Sequence, residues 1–292
     1  MRLEQILLIG ANGQLGKDLI RVLSRDFRVI SVDVDQCDIT DGAQVQHMLE
    51  LHKPNTVINT AAWTDVPACE TNDKKAFSIN ALGAKHVAQA CEKVSCKLLH
   101  ISTDYVFGGE KNAPYVETDL PAPLNVYGLS KLTGEYYISA YCSRYFIVRT
   151  SGLFGIHPAL GKKTNFVETM LNLSKEKNVI KVVDDEILTP TFTIHLAEQI
   201  RVLIPTPHYG IYHATNDGAC SWYQFTEKIF ELARIKTKLE KTTVKEFGSP
   251  VRRPAYSVLD NHNLKKLGLD RMKTWEEGLS DYFMDKENKL KI

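Results

Sequence analysis

The sequence predicts an α/β fold, a doubly wound parallel sheet that carries a smaller C-terminal α/β lobe. Three observations lead there. Short, uninterrupted apolar runs alternate with helical patterns through the first half of the chain. A glycine-rich turn sits at the first strand–helix junction. After Ser151 the rhythm loosens, with no linker, repeat or low-complexity tract to separate a second module.

The strand-like runs are QILLIG (5–10), FRVISVD (27–33), NTVINTAA (55–62), KLLHIS (97–102) and YFIVRTS (145–151). Each is short and apolar at nearly every position, as expected of strands covered on both faces. Helical patterns fill 14–25, 41–52, 73–94 and 126–142. Such alternation implies a parallel sheet with right-handed crossovers. Further on, helices are expected over 163–176, 193–203, 221–233 and 274–286, with strands at 179–185 and 209–215. The division expected is a dinucleotide-binding domain over 1–151, to which 178–205 returns, and a substrate-binding lobe from 152–177 and 206–292.

Composition excludes several classes. Thirty-six basic residues balance 35 acidic ones, so no net field draws the chain to nucleic acid or an anionic membrane. No apolar run reaches the length of a membrane span. MRLEQILLIGANG enters a glycine turn too early to read as a signal peptide. Cys37, Cys69, Cys91, Cys96, Cys142 and Cys220 form no C-x-x-C pair or zinc spacing, so reduced thiols in a cytoplasmic protein are expected.

Gly10, Gly13 and Gly16 follow a G-x-x-G-x-x-G spacing between the first strand and first helix. Gly10 permits the tight turn, Gly13 lets a pyrophosphate approach the helix N-terminus, and Gly16 allows close helix–strand packing. Glycine turns also follow strands for purely structural reasons, but at the first strand–helix junction this one is expected to bind a dinucleotide, with Asn12, Gln14 and Leu15 in the same loop. Asp33 ends the second strand about twenty residues later, where a carboxylate accepts from both adenosine ribose hydroxyls. It repels a 2′-phosphate, which favours NADH slightly over NADPH. Asp38 and Ile39 are expected on the adenine side, and the small Ala61 and Ala62 beside the cofactor.

KLLHISTDYVFGG ends a strand in Ser102 and Thr103, at the carboxyl edge where open sheets bind ligands. Alone, such hydroxyls serve equally to terminate a strand. VYGLSKLTGE then places Tyr127 four residues before Lys131, on one helix face. A free phenol is a poor acid at neutral pH, and a neighbouring ammonium lowers its pKa. The expectation is that Tyr127 protonates a carbonyl oxygen, tuned by Lys131, which also holds the nicotinamide ribose.

Taken together, GANGQLG (10–16), AAWTDV (61–66), STDYVF (102–107), YGLSKLTGE (127–135) and RTSGLFG (149–155) resemble the extended short-chain dehydrogenases. More narrowly the chain resembles the dTDP-4-dehydrorhamnose reductase family. That similarity continues through NFVETM (165–170), KVVDDEILTPT (181–191), YGIYHAT (209–215), CSWYQF (220–225) and RRPAYSVLD (252–260). The resemblance implies Thr103, Tyr127 and Lys131 as the catalytic trio. It implies a nucleotide-sugar pocket lined by Thr64, Asp104, Tyr105 and Asn165, with Arg253 on the diphosphate and Asn80 organising the backbone behind the lysine. A monomer or homodimer is expected. Some family members use Mg²⁺ in dimer contacts, but no cluster here has ligand spacing and no metal is predicted.

Three positions and one loop depart from the family pattern. Gly152 stands where an aromatic is usual, and the loop at 156–164 is long enough for Ile156, His157 or Leu160 to replace that wall. Glu186 occupies a glutamine position, and His195 an aspartate position. A 4,6-dehydratase needs a glutamate base where this chain has Tyr105. A 4-epimerase shares the Tyr/Lys pair and is opposed by the C-terminal motifs. A non-catalytic alternative is a subunit like the regulatory subunit of methionine adenosyltransferase, which resembles these reductases.

Overall fold

A computed structural model describes residues 3–158 and 164–290. The first half follows the expected alternation: β1 (Gln5–Ile9), α1 (Gln14–Leu23), β2 (Arg28–Val32), α2 (Gly42–His52) and β3 (Thr56–Asn59). Next come α3 (Val66–Thr71), α4 (Asp73–Phe77) and α5 (Ala84–Lys93), then β4 (Lys97–Thr103), α6 (Val126–Tyr141) and β5 (Tyr145–Thr150). The single helix expected over 73–94 is interrupted by a π-helical turn at Ser78–Gly83. Asn80 lies in that turn. Its side chain donates to Trp63 O at 3.1 Å and Ser130 Oγ at 3.0 Å, and it accepts from Trp63 N at 2.8 Å. A locally widened helix is a common place for such a functional tie.

The central sheet has six strands, all parallel. Its order is β2-β1-β3-β4-β5-β10, where β10 is Gly210–His213. Strand order reverses direction beside β1, so the carboxyl ends of β1, β3 and β4 open onto a crevice. Alternation within β1 explains the layering. Ile6 and Leu8 pack with α1 and with Leu196 and Ile200 on one face, while Leu7 and Ile9 pack with Val45, Val87 and Ile138 on the other. Two buried faces account for strands with no polar stripe.

Beyond β5 lie β6 (Leu153–Phe154), α7 (Phe166–Glu176), β7 (Val179–Val183), β8 (Ile187–Leu188), β9 (Thr191–Phe192) and α8 (Thr193–Leu203). After β10 come β11 (Cys220–Ser221), α9 (Trp222–Leu232), β12 (Lys238–Thr242), α10 (Val244–Phe247), α11 (His262–Lys266) and α12 (Trp275–Leu290). α7 starts at Phe166, and the part of its expected range at 163 lies outside the described residues. Two elements sit differently from the expected division. β7 pairs with β12 in a separate small sheet and does not return to the central one. β10, assigned above to the lobe, pairs in parallel with β5 and closes the central sheet. Within 178–205 it is α8 that returns, packing on α1. The lobe has its own core around Phe154, Val167, Phe225, Ile229, Leu279 and Tyr282.

Among the described residues no helix is long and apolar enough to cross a membrane.

Candidate active site

A cavity of about 640 Å³ lies between the carboxyl edge of the sheet and the lobe. One end is the glycine turn. Gly10 has φ +82°, which an L side chain rarely adopts, and Thr60 Oγ1 donates to its carbonyl at 3.0 Å. α1 starts after Gly13 with no side-chain cap, so its first N–H groups are left for a ligand. Gly13, Gln14, Leu15 and Gly16 line the cavity there. A Cβ on Gly16 would run into the carbonyl oxygens of Gly10 and Ala11, and one on Gly13 would stand 3.2 Å from Gly10 O. An uncapped helix N-terminus behind an open backbone fits a dinucleotide pyrophosphate.

The remaining cofactor candidates divide. Ala62 and Thr64 line the cavity, and Ala61 sits just behind, its N–H donating to Asn59 Oδ1 at 3.0 Å. Asp33 anchors the turn, accepting from Asn12 N and Val34 N, each at 2.8 Å. Asp38 accepts from Thr40 N at 2.9 Å and its hydroxyl at 2.8 Å, and Ile39 is buried in the core under Gly83. None of Asp33, Asp38 and Ile39 is on the cavity wall.

Thr103 ends β4, and Tyr127 lies in the first turn of α6. Asn125 caps that turn, accepting from Gly128 N at 2.8 Å and donating to Arg252 O at 2.9 Å. A buried pair fixes the helix further on. Arg149 on β5 holds Glu135 through Nη2 at 2.6 Å and Nε at 3.0 Å, and Ser102 Oγ donates to the same carboxylate at 2.5 Å. Breaking such a pair costs on the order of 3–5 kcal/mol, which locks α6 against the strand ends.

Tyr127 hydrogen-bonds Thr103, and Thr103 Oγ1 donates to Asp104 Oδ1 at 3.0 Å while accepting from Tyr105 N at 3.1 Å. Asp104 also accepts from Ser151 Oγ at 2.8 Å and from Ser257. Burial raises its pKa. The Tyr105 ring stands edge-on to Tyr127, with centroids 5.8 Å apart. The site thus aligns a phenol, a hydroxyl and a carboxyl in one hydrogen-bonded row.

The Lys131 amine turns to the strand end. Its Nζ donates to Ile101 O at 2.7 Å and lies 3.0 Å from His100 Nε2. Burial raises the phenol above its ordinary value; the Thr103 hydrogen bond opposes this, and Asp104 and Cys69 reinforce it. Burial lowers the lysine itself to about 8, with Glu135 opposing. The phenol is raised where the helical spacing predicts a lowering.

The other half of the cavity is walled by the lobe. Glu186 is buried and raised in pKa by that burial, accepts from Trp222 Nε1 at 3.1 Å, and faces Arg253. Arg253 lines the cavity, and its Nε is buried with no hydrogen-bond partner. Phe166 packs on Trp222 with centroids 4.3 Å apart. Asn165 reaches the cavity wall but spends its amide on structure, accepting from Glu168 N at 3.0 Å and donating to Gly155 O at 2.5 Å.

Gly152 has φ +54°, and a Cβ there would lie 2.9 Å from Leu188 Cδ1 and 3.1 Å from Pro190 Cα. Leu153, Leu188, Phe166 and Trp222 also line the cavity. Ile156 turns into the lobe core and His157 lies 3.9 Å from Asp18, so neither replaces that wall, while Leu160 lies outside the described residues. Trp222, Phe166 and Leu188 were not singled out from sequence; the CSWYQF motif was the available signal for the first. His195 sits away from the cavity, bonded to Asp281 at 2.9 Å. Among the described residues no group of three His, Cys, Asp or Glu side chains is placed to hold a metal ion.

A helix N-terminus open to a dinucleotide, beside a phenol in hydrogen-bonding reach of a strand-end hydroxyl, defines an NAD(P)H-dependent oxidoreductase of Rossmann-type fold. The chain belongs to the RmlD substrate binding domain family, whose model matches residues 4–288. It is 38% identical over 287 residues to the Spore coat polysaccharide biosynthesis protein SpsK of Bacillus subtilis (strain 168), covering 98% of this chain and 99% of that one. It is 35% identical to the dTDP-4-dehydrorhamnose reductase of Aggregatibacter actinomycetemcomitans, covering 96% and 98%. The crystal structure of dTDP-4-dehydrorhamnose reductase from Bacillus anthracis str. Ames in complex with NADP superposes with a TM-score of 0.93. It shares 41% identity and covers 98% of this chain and 100% of that one.

Proposed function

We propose that this protein reduces the C4 keto group of a dTDP-6-deoxy-4-keto-hexose, converting dTDP-4-dehydro-L-rhamnose to dTDP-L-rhamnose for cell-surface polysaccharide in the cytoplasm. The observation that carries the reading is the Tyr127–Thr103–Asp104 row at the centre of a cavity running from the glycine turn to Arg253. When bound, the reduced nicotinamide supplies the hydride. Tyr127, held protonated by burial, gives its proton to the C4 oxygen. Thr103 hydrogen-bonds the same oxygen, its orientation set by Tyr105 N and Asp104. Lys131 holds the cofactor ribose and anchors the helix carrying the acid. Arg253 binds the diphosphate, because a guanidinium fork matches phosphate oxygens, and its position on the cavity wall supports this role. Thr64, Asp104 and Tyr105 line the sugar pocket. Asp33 favours NADH over NADPH.

The test is incubation of the purified protein with dTDP-4-dehydro-L-rhamnose and NADH or NADPH, followed by nicotinamide absorbance. Oxidation dependent on the sugar nucleotide is expected. Tight cofactor binding with no oxidation of either form would remove the reading.

A further inference from the structure

Behind Lys131 lies a buried polar pair that the reaction above does not use. Asn59 ends β3, His100 is its register partner on β4, and both are buried. The backbone orients the asparagine amide, because Ala61 N donates to Oδ1 at 3.0 Å. Nδ2 is therefore the atom that faces His100 Nδ1, at 3.2 Å. An amide nitrogen only donates, so Nδ1 accepts and the neutral ring carries its proton on Nε2. That proton points at Lys131 Nζ, 3.0 Å away. An ammonium has no lone pair to receive it. All the contacts are satisfied together when Lys131 is an amine, which still donates to Ile101 O at 2.7 Å. With an ammonium there, two donors must face each other somewhere in the buried row from Ala61 to Lys131.

We propose that Asn59 and His100 form a positioning dyad that sets the protonation state of Lys131. Asn59 holds the Nε2–H tautomer of His100, which keeps Lys131 as an amine. The surroundings agree. Burial drives His100 well below its ordinary value and Lys131 down to about 8, and a donor aimed at Nζ lowers the lysine further. Glu135, on the same helix, favours the ammonium but is engaged by Arg149 and Ser102. Asp104 faces Tyr127 and favours the protonated phenol. The functional part of the inference rests on the proposed reduction, whereas the tautomer does not.

The experiment is long-range proton–nitrogen NMR on ¹⁵N-histidine-labelled protein, with a pH titration of ¹³Cε-labelled lysine. His100 is expected as neutral Nε2–H from about pH 6 to 8, and Lys131 to titrate below the range of an ordinary lysine. In Asn59→Asp the second carboxylate oxygen accepts from Nδ1, the ring changes to Nδ1–H, and its Nε2 lone pair accepts from the ammonium. Lys131 then titrates higher by about one pH unit or more, a tenfold change in its ionisation. A native His100 found as Nδ1–H or imidazolium overturns the inference, as does a Lys131 titration that stays put when the tautomer switches. If His100 is Nε2–H but no 4-keto sugar is reduced, the dyad stands and the substrate assignment falls.

Discussion

Replacing Tyr127 by phenylalanine removes one oxygen and little else. The ring keeps its edge-on contact with Tyr105 at 5.8 Å. Thr103 loses one hydrogen bond but retains Tyr105 N at 3.1 Å and Asp104 at 3.0 Å. The cost to folding is therefore about 1 kcal/mol or less. The cost to chemistry is much larger, because general-acid catalysis contributes on the order of 10²–10⁴-fold, or roughly 3–5 kcal/mol of barrier. Steady-state turnover with dTDP-4-dehydro-L-rhamnose gives kcat, and quenching of nicotinamide fluorescence gives the cofactor Kd. We expect kcat to fall by about 10²–10⁴ while Kd stays within about twofold. A Tyr127→Phe protein that keeps more than about a tenth of parental kcat refutes the phenol as acid.

Asp33→Ala should weaken NADH by about tenfold, roughly 1.4 kcal/mol, and shift the NADH/NADPH ratio of Kd values toward NADPH; an unchanged ratio counts against the ribose contact. Gly152→Trp should not restore a family-like wall, because φ +54° and Leu188 Cδ1 at 2.9 Å leave no room. It should lower stability by about 1–3 kcal/mol in thermal unfolding, and an unchanged Tm would contradict the packing described. Lys131, lowered from 10.5 to about 8, binds fewer protons folded than unfolded between those values. Its contribution to stability therefore grows as pH rises through that window and is lost as pH falls through about 8. Urea unfolding of the parent relative to Lys131→Met should show the difference growing by up to about 3 kcal/mol, and a flat difference argues against the shift.

Much of the sheet was legible because both of its faces are buried. Apolar runs with no polar stripe marked β1 to β5 to within a few residues at each end, and the glycine spacing located the turn. What failed depended on distant contacts. Nothing local distinguishes the π turn at Ser78–Gly83 from ordinary helix; Asn80 reaching Trp63 and Ser130 is a tertiary fact. β10 is a four-residue strand whose partner, β5, lies some sixty residues earlier, so its membership of the central sheet had no local mark. The spacing of Tyr127 and Lys131 put them on one helix face, but could not say that the amine would turn to His100 and Ile101. Gly152 read as a missing wall, whereas its left-handed backbone lets Leu188 and Pro190 close against the strand end.

The proposed reduction delivers hydride to C4 of a sugar nucleotide. Turnover of dTDP-4-dehydro-L-rhamnose with nicotinamide cofactor carrying two deuterium atoms at C4 of its ring, followed by mass and NMR spectra of the product, is the measurement. One deuterium, bonded to C4 of the sugar, is expected. A reduced product without deuterium at that carbon, or no product with either cofactor, contradicts it.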